Sequence, residues 1–136
     1  MVTQWAAYDG RGRHRVVAVV DGEAVGQASV WAVDGMGQTG HEAEFEGREG
    51  QLAYLVRPDY AGRGLASVLT RDALTNAFGR LGLRRVQAGC FANNTASWKV
   101  MEKLGMRREG HLRENAWIKG EWVDSLIFAM LDREWG

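Results

Sequence analysis

The residues best suited to chemistry lie in a glycine-containing turn, residues 61–67, between a predicted strand and a predicted helix. Gly62 and Gly64 permit backbone conformations and close approaches that a Cβ atom would forbid. The helix that follows begins with about four amide N–H groups that lack partners inside the helix, and its dipole favours an anion. Arg63 adds a positive charge at the rim of the turn. The turn is therefore expected to bind a phosphate or pyrophosphate group.

The elements that must hold this turn follow from the flanking sequence. Residues 52–56 form an apolar run that is typical of a short buried strand, and a proline-containing segment ends it. Beyond the turn, small and apolar residues recur at helical spacing: Ala66, Leu69, Ala73 and Ala77. The segment is predicted to be a strand, a tight turn and a helix.

Two other kinds of strand–glycine–helix turn fit this sequence poorly. A P-loop needs a lysine directly after its last glycine, and none follows Gly64. A Rossmann turn needs a third glycine, where this chain has Ser67, and an acidic residue at the end of the next strand, where it has Asn93 and Asn94. A nucleotide-binding protein that uses the same loop is therefore the least favoured interpretation.

Residues 54–66, with the sequence YLVRPDYAGRGLA, resemble the acetyl-CoA loop of the GNAT superfamily of N-acetyltransferases, whose pattern is Gln/Arg-x-x-Gly-x-Gly/Ala. Later segments resemble the RimJ/RimL branch of that superfamily: residues 94–97, 102–110, 112–114 and 120–124. The resemblance extends over roughly residues 14–135 and depends on several motifs in the same order. It is therefore more specific than one glycine turn.

The resemblance implies acetyl-CoA as the co-substrate, without a metal. It assigns the pantetheine amides to the backbone of Leu55, Val56 and Arg57. It assigns the pyrophosphate to the amides of the turn and of the first helical residues: Gly62, Arg63, Gly64, Leu65, Ala66 and Ser67. Asn94 would contact the cofactor arm and can also cap the next helix. Because Ala61 stands where the family has Gln or Arg, we expect weaker cofactor binding rather than its loss.

Acetylation of an amine needs a neutral amine, a polarised thioester carbonyl and a proton for the departing thiolate. Many superfamily members carry a tyrosine acid at the position of Met101, so the Ser97 hydroxyl or a water is expected to donate the proton here. The branch often has an acidic residue at the position of Gln51, and Glu49 is the predicted substitute base. Other candidates for the base stay open: Glu44, Glu46, His111, Glu114 and a water chain.

Composition limits the class of protein. A chain of 136 residues, with 46% apolar and 25% charged residues, is expected to form one globular domain. A formal net charge of zero argues against a nucleic-acid or membrane-surface partner. The single cysteine, Cys90, excludes an intramolecular disulfide and is predicted to be a small core side chain. No targeting or membrane-spanning segment is evident, which favours the cytoplasm.

The predicted fold is α/β (α+β), with the order β-β-β-α-β-α-β-β. Asp21-Gly22 predicts a hairpin turn between strands 14–20 and 24–33. The predicted elements after the central helix are a strand at 85–91, a helix at 95–104 and strands at 106–118 and 122–131. This order predicts a mixed, mostly antiparallel twisted sheet with helices packed on it. The family resemblance adds that the central strand and its successor diverge around the pantetheine arm.

Domains of this superfamily normally open with a strand and one or two helices that help to build the acceptor site. The single domain of residues 1–136 is expected to lack most of that part, and to have its acceptor face completed by a second chain in a homodimer or by a large substrate. The leading hypothesis is an acetyl-CoA-dependent N-acetyltransferase acting on a protein N-terminus or a small amine. The main alternative is a non-catalytic acyl-CoA-binding or partner-completed regulatory module.

Overall fold

The structure, a computed structural model, describes the backbone of residues 2–8 and all of residues 12–135. In this part of the chain seven strands form one sheet, in the order β1-β2-β3-β4-β5-β7-β6. The strands are β1 Val2–Tyr8, β2 Arg13–Val20, β3 Glu23–Val33, β4 Glu49–Val56, β5 Arg85–Phe91, β6 Arg107–Ile118 and β7 Glu121–Leu131. The helices are α1 Glu42–Phe45, α2 Leu65–Phe78 and α3 Thr95–Lys103, with short 3-10 turns at Pro58–Tyr60 and Asp132–Glu134.

The predicted fold class is confirmed, and two elements add to the predicted order. Strand β1 pairs antiparallel with β2, from Val2 opposite Val20 to Tyr8 opposite His14. Its sequence, VTQWAAY, has no clean polar–apolar alternation, so its conformation depends on the neighbouring strand that it joins at the sheet edge. Helix α1 has four residues, which is too short for helical periodicity to register.

The turn residues favour the β2–β3 and β6–β7 hairpins. Asp21 and Gly22 have φ values of 50° and 80°, and Lys119 and Gly120 have φ values of 51° and 84°. Positive φ at both central residues is the type I′ geometry that matches the twist of paired strands. The β2–β3 and β6–β7 pairs accordingly run antiparallel on either side of these turns.

The core lies between one face of the sheet and the helices. Helix α2 packs on β2, β3 and β4. Its buried face has no solvent exposure at Leu69, Ala73, Leu74 and Ala77. Helix α3 contributes Met101, which is also fully buried, and it reaches the part of the sheet formed by β6. Helix α2 therefore lies over the strands on the β4 side of the β4–β5 junction, and α3 lies toward the strands on the β5 side.

The packing of α2 predicts that substitutions at two neighbouring residues lower the free energy of unfolding by very different amounts. Replacing Leu69, which is 0% exposed, by Ala should lower the free energy of unfolding by about 2–5 kcal/mol, because the lost contacts leave a cavity. The matched control is Val68→Ala on the next residue, which is 49% exposed and should change stability by less than about 0.5 kcal/mol. Urea unfolding followed by circular dichroism measures both, and equal losses would contradict the described orientation of α2.

Candidate functional site

The site begins where two parallel strands stop pairing. Strands β4 and β5 pair at three positions, Glu49 with Arg85, Gly50 with Val86 and Gln51 with Gln87. Both strands then continue, β4 to Val56 and β5 to Phe91, without further pairing to each other. Each stays paired along its outer edge, β4 with β3 and β5 with β7. The two strands form a fork, and its open end is the divergence that the family resemblance implies.

A cleft of about 300 Å³ fills the open end of this fork. It is lined by the end of β4, the glycine turn, the start of α2 and the first turns of α3. The lining residues are Tyr54, Leu55, Val56, Tyr60, Ala61, Gly62, Gly64, Leu65, Ala66, Ser67, Asn94, Ala96, Ser97 and Val100. Most of the residues predicted to bind the cofactor are therefore brought together, whereas Arg57 and Arg63 are not among those that line the cleft.

The beginning of α2 presents unused amides to the cleft. Gly62 and Gly64 have φ values of 77° and 76°, a left-handed conformation that favours glycine. The first hydrogen bond of the helix runs from Val68 N to Gly64 O at 3.2 Å, so it does not use the amides of residues 65–67. No side chain caps this helix, and its first turn holds no acidic residue. The arrangement therefore fits an anion, as predicted for the pyrophosphate.

Ala61, which precedes the two glycines, and Arg63, which lies between them, each make a contact within the turn. The Ala61 amide donates to Pro58 O at 3.2 Å, which closes the 3-10 turn before the glycines. The Arg63 guanidinium lies 4.9 Å from the centre of the Tyr60 ring, a cation–π distance. Arg63 is exposed, so its charge lies at the rim rather than in the cleft.

The pairing of β4 with β3 determines which backbone groups of β4 face the gap. Arg57 N donates to Val25 O at 2.8 Å, so this amide already has a partner. Antiparallel strands alternate between hydrogen-bonded and non-hydrogen-bonded pairs, and this bond therefore directs the backbone groups of Leu55 toward β3 as well. The N–H and C=O groups of Tyr54 and Val56 consequently face the gap. Of the three predicted residues only Val56 presents its backbone to the cleft, and Tyr54 joins it.

Asn94 and Ser97 lie together at the start of α3. The Asn94 side chain caps the helix, because its Oδ1 accepts from Ser97 N at 3.2 Å. Both residues also line the cleft, so capping does not remove Asn94 from the site. Capping instead fixes the position of the first turn, and with it the Ser97 hydroxyl.

Sequence reasoning missed Tyr54, whose hydroxyl crosses the fork from β4 to α3. It lies 2.7 Å from Ser97 O and 2.8 Å from Ser97 Oγ. Burial raises the pKa of Tyr54 above its usual value, and the hydrogen bond between the Tyr54 and Ser97 hydroxyls partly offsets that rise. Burial also raises the pKa of the nearby Cys90 thiol. The signal in the sequence is that Tyr54 shares a strand face with Leu52, so its hydroxyl needs a buried partner.

Glu49, the predicted base, is not brought to the cleft. It begins β4, and the six residues to Leu55 span roughly 20 Å along the strand. Its carboxylate is bound by Arg84 Nη2 at 2.9 Å and Arg85 Nη1 at 3.5 Å. Its position therefore supports an ion-pair role beside the closed end of the fork. Gln51, where the family branch often has an acid, occupies the last paired position of the fork.

A second group of charged residues surrounds an irregularity in β6. Asp124 Oδ2 lies 2.6 Å from His111 Nε2, and Asp124 Oδ1 accepts from Glu114 N at 2.7 Å. These hydrogen bonds lower the pKa of Asp124, with the His111 contribution the largest. Glu114 has a φ of 46°, at the point where the β6–β7 register shifts. None of these three residues lines the cleft of the fork; together with Leu112, Arg113 and Asn115 they line a separate surface pocket.

Within residues 2–8 and 12–135, no cluster of His, Cys, Asp and Glu has a geometry that could hold a metal ion. No helix in these same ranges has both the length and the apolar character required to cross a membrane.

Comparison with known proteins agrees with this geometry. The profile of the Acetyltransferase (GNAT) domain family matches residues 1–107. The chain is 34% identical over 85 residues to the uncharacterized N-acetyltransferase YnaD of Bacillus subtilis, covering 62% of this chain and 50% of that protein. It is 29% identical over 121 residues to the L-amino acid N-acetyltransferase AaaT of Escherichia coli, covering 89% of this chain and 70% of AaaT.

A solved structure described as a probable acetyltransferase superposes with a TM-score of 0.74 at 26% identity, covering 94% of this chain and 66% of that one. The chain spans about half the length of several curated relatives, YnaD among them. The family match extends over the forked strands, the glycine turn and both helices that border the cleft. The chain belongs to the GNAT family of acetyltransferases.

Proposed function

We propose that this chain is an acetyl-CoA-dependent N-acetyltransferase that moves an acetyl group to a primary amine. The observation that carries the proposal is the cleft at the fork, which combines a free strand edge with unused helix amides. A pantetheine arm needs backbone partners of the kind that the edge of β4 offers. A pyrophosphate needs the amides that begin α2. Both needs are met in one continuous cavity.

Holding the reactants together supplies most of the proposed rate enhancement. Orientation of bound reactants can contribute roughly 7–11 kcal/mol toward the barrier. In this cleft the edge of β4 and the start of α2 would orient the thioester. The Ser97 hydroxyl, which lines the same cavity, would then donate a proton to the thiolate as the C–S bond breaks.

The proton that leaves the amine is assigned to water. Among the described residues that line the cleft there is no carboxylate and no histidine. Glu49 is engaged with two arginines near the other end of β4. We therefore propose that water in the open cleft, rather than Glu49, carries this proton to solvent.

The acceptor is proposed from the family branch. The motifs at residues 94–97 and 102–110 resemble the RimJ/RimL branch, which favours a protein N-terminus or a small amine. The relative AaaT is named for L-amino acids, which also present a primary amine. A cytoplasmic location stays a prediction from the sequence.

The alternative is a module that binds acyl-CoA without turning it over. It is favoured by three departures from the family pattern, at Ala61, Gln51 and Met101. Release of the free thiol from acetyl-CoA, measured against panels of N-terminal peptides, amino acids and polyamines, separates the two functions. Turnover with any acceptor supports the enzyme, and acetyl-CoA binding without turnover on the whole panel supports the alternative.

The glycine turn generates the first test of binding. Gly64→Ala should raise the Kd for acetyl-CoA about tenfold or more, because its Cβ strains the turn at positive φ and alters the amides that face the pyrophosphate. Gly22→Ala is the matched control, since Gly22 also has positive φ and open space around it but lies in the β2–β3 hairpin turn. Calorimetric titration measures both variants. Equal Kd values for the two would contradict a pyrophosphate site at this turn.

We also propose that the chain forms a homodimer through the end of the β6–β7 hairpin. Trp117 and Trp122, at the end of the β6–β7 hairpin, are 58% and 57% exposed with ring centres 5.3 Å apart. An exposed aromatic pair is typical of an interface. Light scattering should give twice the chain mass, and replacing both residues by Ser should shift it to the monomer mass. A wild-type monomer at high concentration would contradict the dimer.

A further inference from the structure

We infer that Tyr54 is a positioning residue that supplies a proton through Ser97, so that the two hydroxyls form a relay across the fork. The inference rests on the proposed function and deepens it. Superfamily members that use a tyrosine acid carry it on the helix after the fork, at the position of Met101. Met101 is fully buried and its thioether has no proton to donate. The relay brings a tyrosine proton to the same cleft from the opposite wall, β4.

The contact geometry gives the relay two arrangements. The Tyr54 hydroxyl has one hydrogen and two acceptors within reach, Ser97 O at 2.7 Å and Ser97 Oγ at 2.8 Å. When Tyr54 donates to the Ser97 carbonyl, the Ser97 hydroxyl can donate back to Tyr54. When Tyr54 donates to Ser97 Oγ, the Ser97 hydrogen no longer points at Tyr54 and can turn to the Cys90 sulfur, with which Ser97 is also hydrogen-bonded, or into the cleft. Only the second arrangement prepares Ser97 as a proton donor.

The surroundings of Tyr54 favour its protonated form at neutral pH. Its side chain is partly buried and packs against the core, and burial raises its pKa, so it stays protonated through the neutral range. The facing titratable group on β5 is the Cys90 thiol, whose own pKa is raised by burial. Opposite Tyr54 on β3 stands Ala28, which does not ionise.

Every proton that is moved in the relay has a donor and an acceptor. As the thioester C–S bond breaks, its electron pair goes to sulfur, and Ser97 Oγ gives its proton to that thiolate. In the same step Ser97 Oγ receives the proton of the Tyr54 hydroxyl, which leaves a tyrosinate. The tyrosinate is a strong base in a buried site, so it recovers a proton from water in the cleft. The proton lost by the attacking amine goes to water, and the net change is transfer of one acetyl group.

Kinetics of single and double variants test the relay. Tyr54→Phe should lower kcat about tenfold to a hundredfold with little change in the KM for acetyl-CoA, since the ring and the packing remain. Ser97→Ala should lower kcat at least as much, and the double variant should be no worse than Ser97→Ala. Ser97→Thr, which keeps a hydroxyl, should retain most of the activity. Additive losses in the double variant would overturn the relay.

The matched control removes a hydroxyl bond elsewhere. Thr75 Oγ1 donates to Arg71 O at 2.9 Å on α2, away from the cleft, and Thr75→Val removes that bond. It should leave kcat unchanged. Thermal unfolding of every variant shows whether a loss of activity reflects a loss of structure. A kcat for Tyr54→Phe equal to that of Thr75→Val would also overturn the relay.

A spectroscopic titration tests the relay without any acceptor amine. Tyrosinate absorbance is followed against alkaline pH, and the part lost in Tyr54→Phe identifies Tyr54. Adding CoA should move this titration to higher pH, because the CoA thiolate disfavours a second negative charge through Ser97. Dethio-CoA carries hydrogen in place of the thiol. It should change the pH of the Tyr54 titration only by the effect of the nucleotide and the pantetheine arm. Identical titrations with the two ligands would overturn the relay.

The two tests separate the relay from the function on which it rests. A CoA-specific shift without acetylation of any amine would reject the proposed enzyme while supporting the contact between Tyr54, Ser97 and sulfur. Acetylation with normal kcat in Tyr54→Phe would support the enzyme and reject the relay.

Discussion

The structure depends on the early end of pairing between β4 and β5. Each strand is bound to its outer neighbour along its length, β4 to β3 and β5 to β7, but the two are bound to each other at three positions only. Gly50 lies at the closed end of the fork, where a Cβ would come within 2.7 Å of Leu83 Cδ1. Backbone N–H and C=O groups need hydrogen-bond partners, and along the free inner edge of β4 neither neighbouring strand supplies them. A ligand that brings amides and carbonyls of its own can pair with this edge.

The fork also determines where chemistry can occur. Strand β4 leads directly into the glycine turn, and β5 leads into the Asn94 cap of α3, so both helix starts meet at the open end. One start offers unused amides and the other offers the Ser97 hydroxyl. Tyr54 connects the two sides by its bonds to Ser97. The three proposed roles, which are anion binding, binding of the pantetheine arm and proton donation, thus all depend on one topological feature.

Local sequence signals predicted the parts of this site that depend on the backbone. The glycines at positions 62 and 64, the helical spacing after them and the Asn94 cap each have a local physical cause, and the structure places them together. Two kinds of feature could not be predicted in this way. Which backbone groups of β4 face the gap depends on register with β3, which directs the backbone groups of Leu55 and Arg57 toward β3 and those of Tyr54 and Val56 toward the gap.

Long-range pairing explains the other differences. Glu49 was predicted to be the base because the sequence alone does not show which side chains contact it. In the structure Arg84 and Arg85 bind its carboxylate across the β4–β5 pair. Strand β1 has a weak pattern and is recognised only through its pairing with β2. The family resemblance supplied the divergence of the strands, which periodicity alone does not encode.

We propose above all that the inner edge of β4 and the amides that begin α2 bind acetyl-CoA. Residue-resolved amide hydrogen exchange, with and without acetyl-CoA, measures this binding at each amide. Exchange should slow at Val56 and at residues 65–67 on binding, with a much smaller change at Arg57, whose amide is already bonded to Val25 O. Binding of acetyl-CoA without protection at Val56 and residues 65–67 would contradict it.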